Sequence, residues 1–296
     1  MKKINKIYMI IGIIWITIFS ILISKILSLS PSKNTIVFSY PKWEINFAWE
    51  ILPTQNDNYF IKERFDKEFL NTSYNLYQFF LYVKRLPLYI PFIEDELKKA
   101  WVPDDFKYLP IAESALKNDV VSWAWAGWMW QFMPDTAKQY DLIVNDEIDE
   151  RYNFKKATDA AIKHILDLHK NFKDRTLVAA SYNRWATAIK NALEDQWVTN
   201  YYDLYLNEET SRYVFKILSI KYVITDYYSK KSYIDKLIGW TYSAPETESI
   251  KVWKVDDLKT WCHDMWQNYQ TIKDLNPWIL QDHLPDWNWE ISILKK

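Results

Sequence analysis

Apolar positions recur at helical intervals through most of the chain. In ATDAAIKHILDLHKNF, Ala157, Ala160, Ala161, His164, Ile165, Leu168 and Phe172 fall on the i, i+3, i+4, i+7 stripe of an amphipathic helix. The same spacing predicts helices over 59–70, 76–85, 91–100, 105–117, 134–140, 154–172, 176–195 and 208–228. After Ser229 the chain turns polar, and Pro245 with the run 246–249 marks a boundary. Beyond it the pattern reads strand, helix, helix, strand in SIKVWKV, DDLKTWCHDM, YQTIKDLNP and WEISIL, with Asp256 or Asp257 as a helix cap and Asn276-Pro277 as a stop. The fold class expected is mainly α with a small βααβ unit separate from the helical region.

One apolar run differs in kind. Lys2, Lys3 and Lys6 precede the uncharged stretch 7–24, IYMIIGIIWITIFSILIS, which Lys25 ends. As a helix it would span roughly 27 Å, near the thickness of a bilayer's hydrocarbon core. It exceeds a typical signal-peptide core and no A-x-A-like site follows, so an uncleaved membrane anchor is the better reading, with a cleaved signal as the alternative. The basic flank puts the short tail in the cytoplasm and the remainder outside. The expected organisation is a tail and anchor at 1–29, a linker at 30–58, the helical domain at 59–230, a linker at 231–248 and the βααβ unit at 249–296.

Charge and cysteine content narrow the function classes. A formal charge of -1 leaves no electrostatic footprint for nucleic acid. A single cysteine, Cys262, excludes an internal disulfide and a lipid-bearing cysteine near the N-terminus, and four scattered histidines argue against a metal site. His164 and His169 are five apart and do not share a helix face as an i, i+4 pair would. No cofactor or metal is expected, and the oligomeric state is open.

Glycine usage changes the picture more. Average usage of about 7% would give roughly 21 glycines in this length. The chain has 3, alongside 17 tryptophans, so the two counts together approach the glycine number alone. Tryptophan also stands where turn chemistry wants glycine: Trp101 between a helical run and a proline, Trp266 between two helical patterns, and Trp287 in LPDWN, which has the form of a Pro-Asp-Gly turn. The expectation is that many of these positions are glycine in the natural protein, through UGA codons that some bacterial lineages read as glycine. The alternative is a tryptophan-rich sugar binder.

Chemistry concentrates in four stretches. YLPIAES, residues 108–114, places Glu113 near the end of an apolar helix, followed by Ser114. SWAWAGWMWQFMPDTA follows from Ser122, then DERYNFKKATDAA, then AASYNRW, then NEETSRYV. In this order and spacing the series resembles the lytic transglycosylases of the soluble lytic transglycosylase type, above all the membrane-bound D-type enzymes with LysM modules after the catalytic domain. The resemblance runs from about Phe47 to Tyr228. Its Glu-Ser motif falls on Glu113 and Ser114, and its glycine-rich loop ending in Gln-x-Met-Pro on Trp125 to Pro134. Its Ala-Tyr-Asn-x-Gly motif falls on Ser181 to Trp185, and its Glu-Thr-x-x-Tyr-Val motif on Glu209, Thr210, Tyr213 and Val214. Three departures, Trp125, Trp128 and Trp185, are tryptophan where that family has glycine. Trp130 is not a departure, and Trp123 stays undecided.

The resemblance implies a lysozyme-like helical domain that cuts the bond from N-acetylmuramic acid (MurNAc) to N-acetylglucosamine (GlcNAc) in peptidoglycan. Glu113 would act alone, first as acid and then as base, so that the C6 hydroxyl of the same MurNAc closes a 1,6-anhydro ring. An acid of this kind needs an apolar pocket that raises its pKa, which Leu109, Ile111, Met129, Trp130 and Phe132 could form. The implied substrate contacts are Ser114, Met129, Gln131, Tyr182 and Asn183, with Tyr213 orienting Glu113. Glu209 is the nearest second carboxylate, and ordinary helix polarity accounts for it equally well. The βααβ tail resembles a LysM module, or is a small packing domain without a ligand. A hydrolytic muramidase remains the alternative activity, and a non-catalytic wall binder becomes the reading if Trp125 and Trp128 are genuine indoles.

Overall fold

The computed structural model describes residues 15, 17–20, 36–42, 44–54, 59–117 and 129–295. The chain divides into two units, 1–37 and 38–296. In the first, residues 17–20 are helical and exposed. The rest of the expected anchor lies outside the described residues, among which no helix is long and apolar enough to cross a membrane.

The second unit is mainly helical. A two-residue hairpin, β1 (Asn46–Phe47) and β2 (Glu50–Ile51), precedes helices α1 (Tyr59–Tyr74), α2 (Leu76–Lys99), α3 (Leu109–Ser114) and α4 (Pro134–Gln139). There follow α5 (Phe154–Asn171), α6 (Arg175–Asn183), α7 (Ala186–Gln196), α8 (Glu208–Ser229) and α9 (Lys231–Ile238). The core forms around α8, which buries Thr210, Tyr213, Val214, Phe215, Ile217, Leu218 and Val223 and packs on α1, α3 and α6.

Three helical stretches differ from the periodicity reading. The expected helix 105–117 is a 3-10 helix, Asp104–Tyr108, followed by the short α3, which stops at left-handed Ala115. The expected pair 76–85 and 91–100 is one helix, α2, running through Pro87 and Pro91. Its buried stripe, Phe79, Tyr82, Val83, Leu86, Ile90, Ile93 and Leu97, keeps helical spacing across both prolines, so packing outweighs the lost backbone bonds. The expected helix 176–195 is instead two, parted at Arg184 and Trp185, whose ψ values of 148° and 127° are extended. That break leaves Tyr182 and Asn183 at a helix end rather than inside a continuous cylinder.

The C-terminal residues form β3 (Thr247–Val252), α10 (Leu258–Asp264), α11 (Tyr269–Leu275) and β4 (Trp289–Leu294), with β3 and β4 antiparallel and Thr247 opposite Leu294. Asp257 caps α10 and Asn268 caps α11. This βααβ unit shares its core with Ile148 of the helical region, and Ile148 bridges Ile279. The Asp149 N–H donates to the Trp278 carbonyl at 3.0 Å and the Leu280 N–H to the Glu147 carbonyl at 2.9 Å. Of the stretch expected as linker, residues 231–238 form α9.

Tryptophans fall into two populations. Trp130, Trp278 and Trp289 are buried, and the indole N–H groups of Trp130 and Trp289 donate to Thr158 Oγ1 at 3.1 Å and to the Pro285 carbonyl at 2.7 Å. Trp49, Trp101, Trp197 and Trp266 are 73–94% exposed and take left-handed φ values of 70°, 57°, 57° and 56°. The last three end helices in the same way. The Trp101 N–H reaches the Lys98 carbonyl at 3.2 Å and that of Val102 the Leu97 carbonyl at 3.0 Å, and the pairs at Trp197 and Trp266 repeat it at 3.3 and 3.1 Å and at 3.0 and 2.8 Å. This is the Schellman termination, whose left-handed position favours glycine because a Cβ costs about 1–2 kcal/mol there. Trp49 follows left-handed Ala48 in the β1–β2 turn, the geometry that Asn-Gly normally fills. Trp287 and Trp185 are exposed but not left-handed.

Candidate active site

α3 delivers Glu113 one residue before its end, and the chain then turns through Ala115 and Leu116, both left-handed. The Arg85 guanidinium holds this turn by donating to the Ala115 carbonyl at 2.9 Å. The Ser114 hydroxyl lies 3.1 Å from the carbonyl oxygens of Pro110 and Met129, which ties the end of α3 to the strand of chain entering the groove. Ser114 and Met129 are buried.

Glu113 meets a groove of about 470 Å³ that Gln131, Tyr182, Asn183 and Glu209 also line. The Tyr213 hydroxyl donates to Glu113 Oε1. One turn further along α8 the Lys216 ammonium donates to the Ala112 carbonyl, adjacent to the glutamate. Burial pushes the Glu113 carboxyl up to about 7, against the downward pull of the Tyr213 hydrogen bond and the Lys216 charge, while the Glu209 charge pushes the same way as burial. The apolar residues expected around it, Leu109, Ile111, Met129, Trp130 and Phe132, are all buried. A carboxylic acid at such a value holds a proton near neutral pH and releases it readily, as a group that first donates and then accepts must.

The far wall comes from α5 and α6. The Tyr182 hydroxyl donates to the Trp130 carbonyl at 2.9 Å, fixing the backbone that leads into Gln131, itself left-handed at φ 50°. Asn183 donates to Glu209 Oε1 at 3.0 Å and accepts from the Thr210 hydroxyl at 2.9 Å, so the end of α6 is pinned to the start of α8. Burial and the nearby Glu113 charge raise the Tyr182 and Tyr213 phenols well above their ordinary value, which keeps both as hydrogen-bond donors. Arg151, paired with Asp149 at 2.7 Å inside the protein, donates to the Phe132 carbonyl at 2.9 Å and braces the groove from below.

Of the residues expected to contact substrate, the structure brings Gln131, Tyr182 and Asn183 to the groove with Glu113, and Tyr213 onto the glutamate. The loop positions Trp123, Trp125 and Trp128 lie outside the described residues, and Trp185 lines the groove edge. Sequence reading missed Lys216 and the trio Tyr140, His164 and Asp167, which line the same groove. His164 and Asp167 share α5, but their pairing with Tyr140 at the end of α4 depends on a tertiary approach no spacing rule encodes.

Glu113 is thus a half-buried carboxyl of raised pKa near the end of a short helix in a helical domain. Residues 90–203 match the family model described as Transglycosylase SLT domain. Glu113 and Gln131 fall inside the match, whereas Glu209 and Tyr213 lie just beyond it. The chain is similar to membrane-bound lytic murein transglycosylase D of Escherichia coli strain K12, at 33% identity over 175 residues. It is equally similar to the protein of the same name in strain O6:H1. The match covers 57% of this chain and 37% of those relatives, so the similarity spans just over a third of their length. Among solved structures, an inactive mutant of the lytic transglycosylase Slt from Pseudomonas aeruginosa aligns at 18% identity with a TM-score of 0.36, over 47% of this chain and 24% of that one.

Proposed function

We propose that the protein is a peptidoglycan lytic transglycosylase that cleaves the MurNAc–GlcNAc β-1,4 bond and releases 1,6-anhydro-MurNAc ends, with Glu113 as its single acid and base. The observation that carries the reading is the Glu113 carboxyl, held near neutrality by burial and paired with the Tyr213 phenol, with the Lys216 ammonium nearby. Protonated Glu113 gives its proton to the departing GlcNAc oxygen. As a carboxylate it then takes the proton of the C6 hydroxyl of the same MurNAc, whose oxygen closes onto C1. No water enters, because the internal hydroxyl is already close to the reacting carbon.

Glu209 lines the same groove, which favours hydrolysis as the second reading: a paired carboxylate could activate water. Its engagement by Asn183 supports a structural role instead. Mass spectrometry of the products separates the two, since an anhydro sugar is lighter than its hydrolysed counterpart by one water. Hydrolysed ends alone would overturn the transglycosylase reading.

The βααβ unit is read as a LysM-like module that holds GlcNAc-containing glycan, and the stretch 7–24 as an anchor that keeps the catalytic domain on the outer side of the membrane. We infer as well that glycine stands in the natural protein at 49, 101, 197 and 266, and at the family's glycine positions 125, 128 and 185. The left-handed, solvent-exposed setting of the first four supports this. UGA at these codons and UGG at 130, 278 and 289 is the expected result; UGG throughout overturns it.

A further inference from the structure

The groove does not end at Glu113. At its α5 wall, His164 Nδ1 lies 3.0 Å from the Tyr140 hydroxyl, and that hydroxyl donates to Asp167 Oδ2 at 3.2 Å. In the tautomer that satisfies both contacts, Tyr140 donates to Asp167 and its oxygen accepts from the His164 Nδ1–H. Nε2 is then an acceptor, and no described residue hydrogen-bonds to it. The ring is clamped among Phe132, Tyr140 and Tyr182 at centroid distances of 6.1, 5.2 and 5.3 Å. All four side chains line the groove with Glu113. Burial lowers the His164 pKa to about 4, so the ring is neutral wherever the enzyme works, and burial with the Asp167 charge holds the Tyr140 phenol protonated up to about 12.

The glycan carries one donor of fixed geometry on every sugar, the acetamido N–H. An acceptor oriented by a two-step chain from Asp167 through Tyr140 loses no rotamer freedom on binding, the condition under which one hydrogen bond counts fully toward affinity.

We propose that His164 is a substrate-orienting residue whose Nε2 accepts the acetamido N–H of an N-acetylated sugar bound in the groove, with Tyr140 and Asp167 setting its tautomer and direction. The inference rests on the peptidoglycan reading for its ligand class and goes beyond it in assigning a subsite.

The test uses the full chain and soluble glycan strands released from purified sacculi. His164→Ala should raise KM about three- to tenfold with kcat changed less than about twofold. His164→Gln, whose side-chain amide oxygen reaches the Nε2 position, should recover most of that loss. Tyr140→Phe should fall between them, because it removes the group that orients the ring. The same comparison by binding isotherm in a Glu113→Gln background reads the subsite whether or not the parent protein turns over. An inert parent protein would remove the proposed activity and leave the affinity comparison to decide His164. Unchanged affinity and KM in a folded His164→Ala variant overturns the proposal, as does an equal loss for Gln and Ala.

Discussion

The Tyr213 hydroxyl donates to the Glu113 carboxylate across a separation of 100 residues. The contact joins the short α3 to the central α8, and it opposes the burial that raises the glutamate. Removing the hydroxyl therefore moves the Glu113 pKa further up. Tyr213→Phe should shift the alkaline limb of kcat/KM to higher pH while lowering the maximum about tenfold, through lost orientation. A pH–rate profile on sacculi checks both; an unmoved limb with normal turnover would separate Tyr213 from the glutamate.

Glu113→Gln should abolish release of anhydro products and leave sedimentation with sacculi intact. Near-normal turnover by that variant would defeat the assignment.

The same substitution should stabilise the fold at alkaline pH. Glu113 has a folded-state pKa of about 7 against an ordinary 4.5, so the folded state binds more protons between those values and stability falls as pH rises through them. Glutamine escapes the penalty, worth up to about 3 kcal/mol at pH 8. Thermal denaturation at pH 8 and pH 4 should show a higher melting temperature for the variant at the first and little difference at the second. A lower melting temperature at pH 8 would contradict a Glu113 carboxylate destabilised by desolvation.

Trp101→Gly, Trp197→Gly and Trp266→Gly should each stabilise the tryptophan-bearing protein by about 1 kcal/mol, since each relieves a left-handed Cβ at no cost in packing. Trp130→Gly and Trp289→Gly should destabilise it by about 3–5 kcal/mol, because they empty buried sites. Urea midpoints measure the contrast. Uniform destabilisation across all five would remove the basis for two populations.

Arg151→Met should cost about 3–5 kcal/mol, because it leaves the Asp149 carboxylate buried without its partner. Since Arg151 also holds the Phe132 carbonyl and Asp149 bonds to Trp278, the variant should loosen both the groove wall and the seat of the βααβ unit. Amide exchange at 132–140 and 278–284 reports this; faster exchange at both is the expected outcome.

Sequence by itself determined the helical stripe of α5, the extent of α8, the βααβ order, and Glu113 with Gln131, Tyr182, Asn183 and Tyr213 as the candidate site. Those are carried by periodicity and short motifs, which are local. Sequence also carried the glycine deficit, and so the suspicion attached to Trp101 and Trp266, because turn chemistry too is local. It did not mark Trp49 or Trp197, whose left-handed angles follow from how a hairpin and a helix end are drawn into the fold. Nor did it join α2 across two prolines, since burial of one continuous apolar stripe decides that. Tertiary structure alone buried Ser114 and Met129, set Lys216 beside the glutamate, and brought His164 against Tyr140 on the groove. A pKa is set by the solvent a group loses and the charges it meets, and for Glu113 the groups that matter come from residues about a hundred positions away.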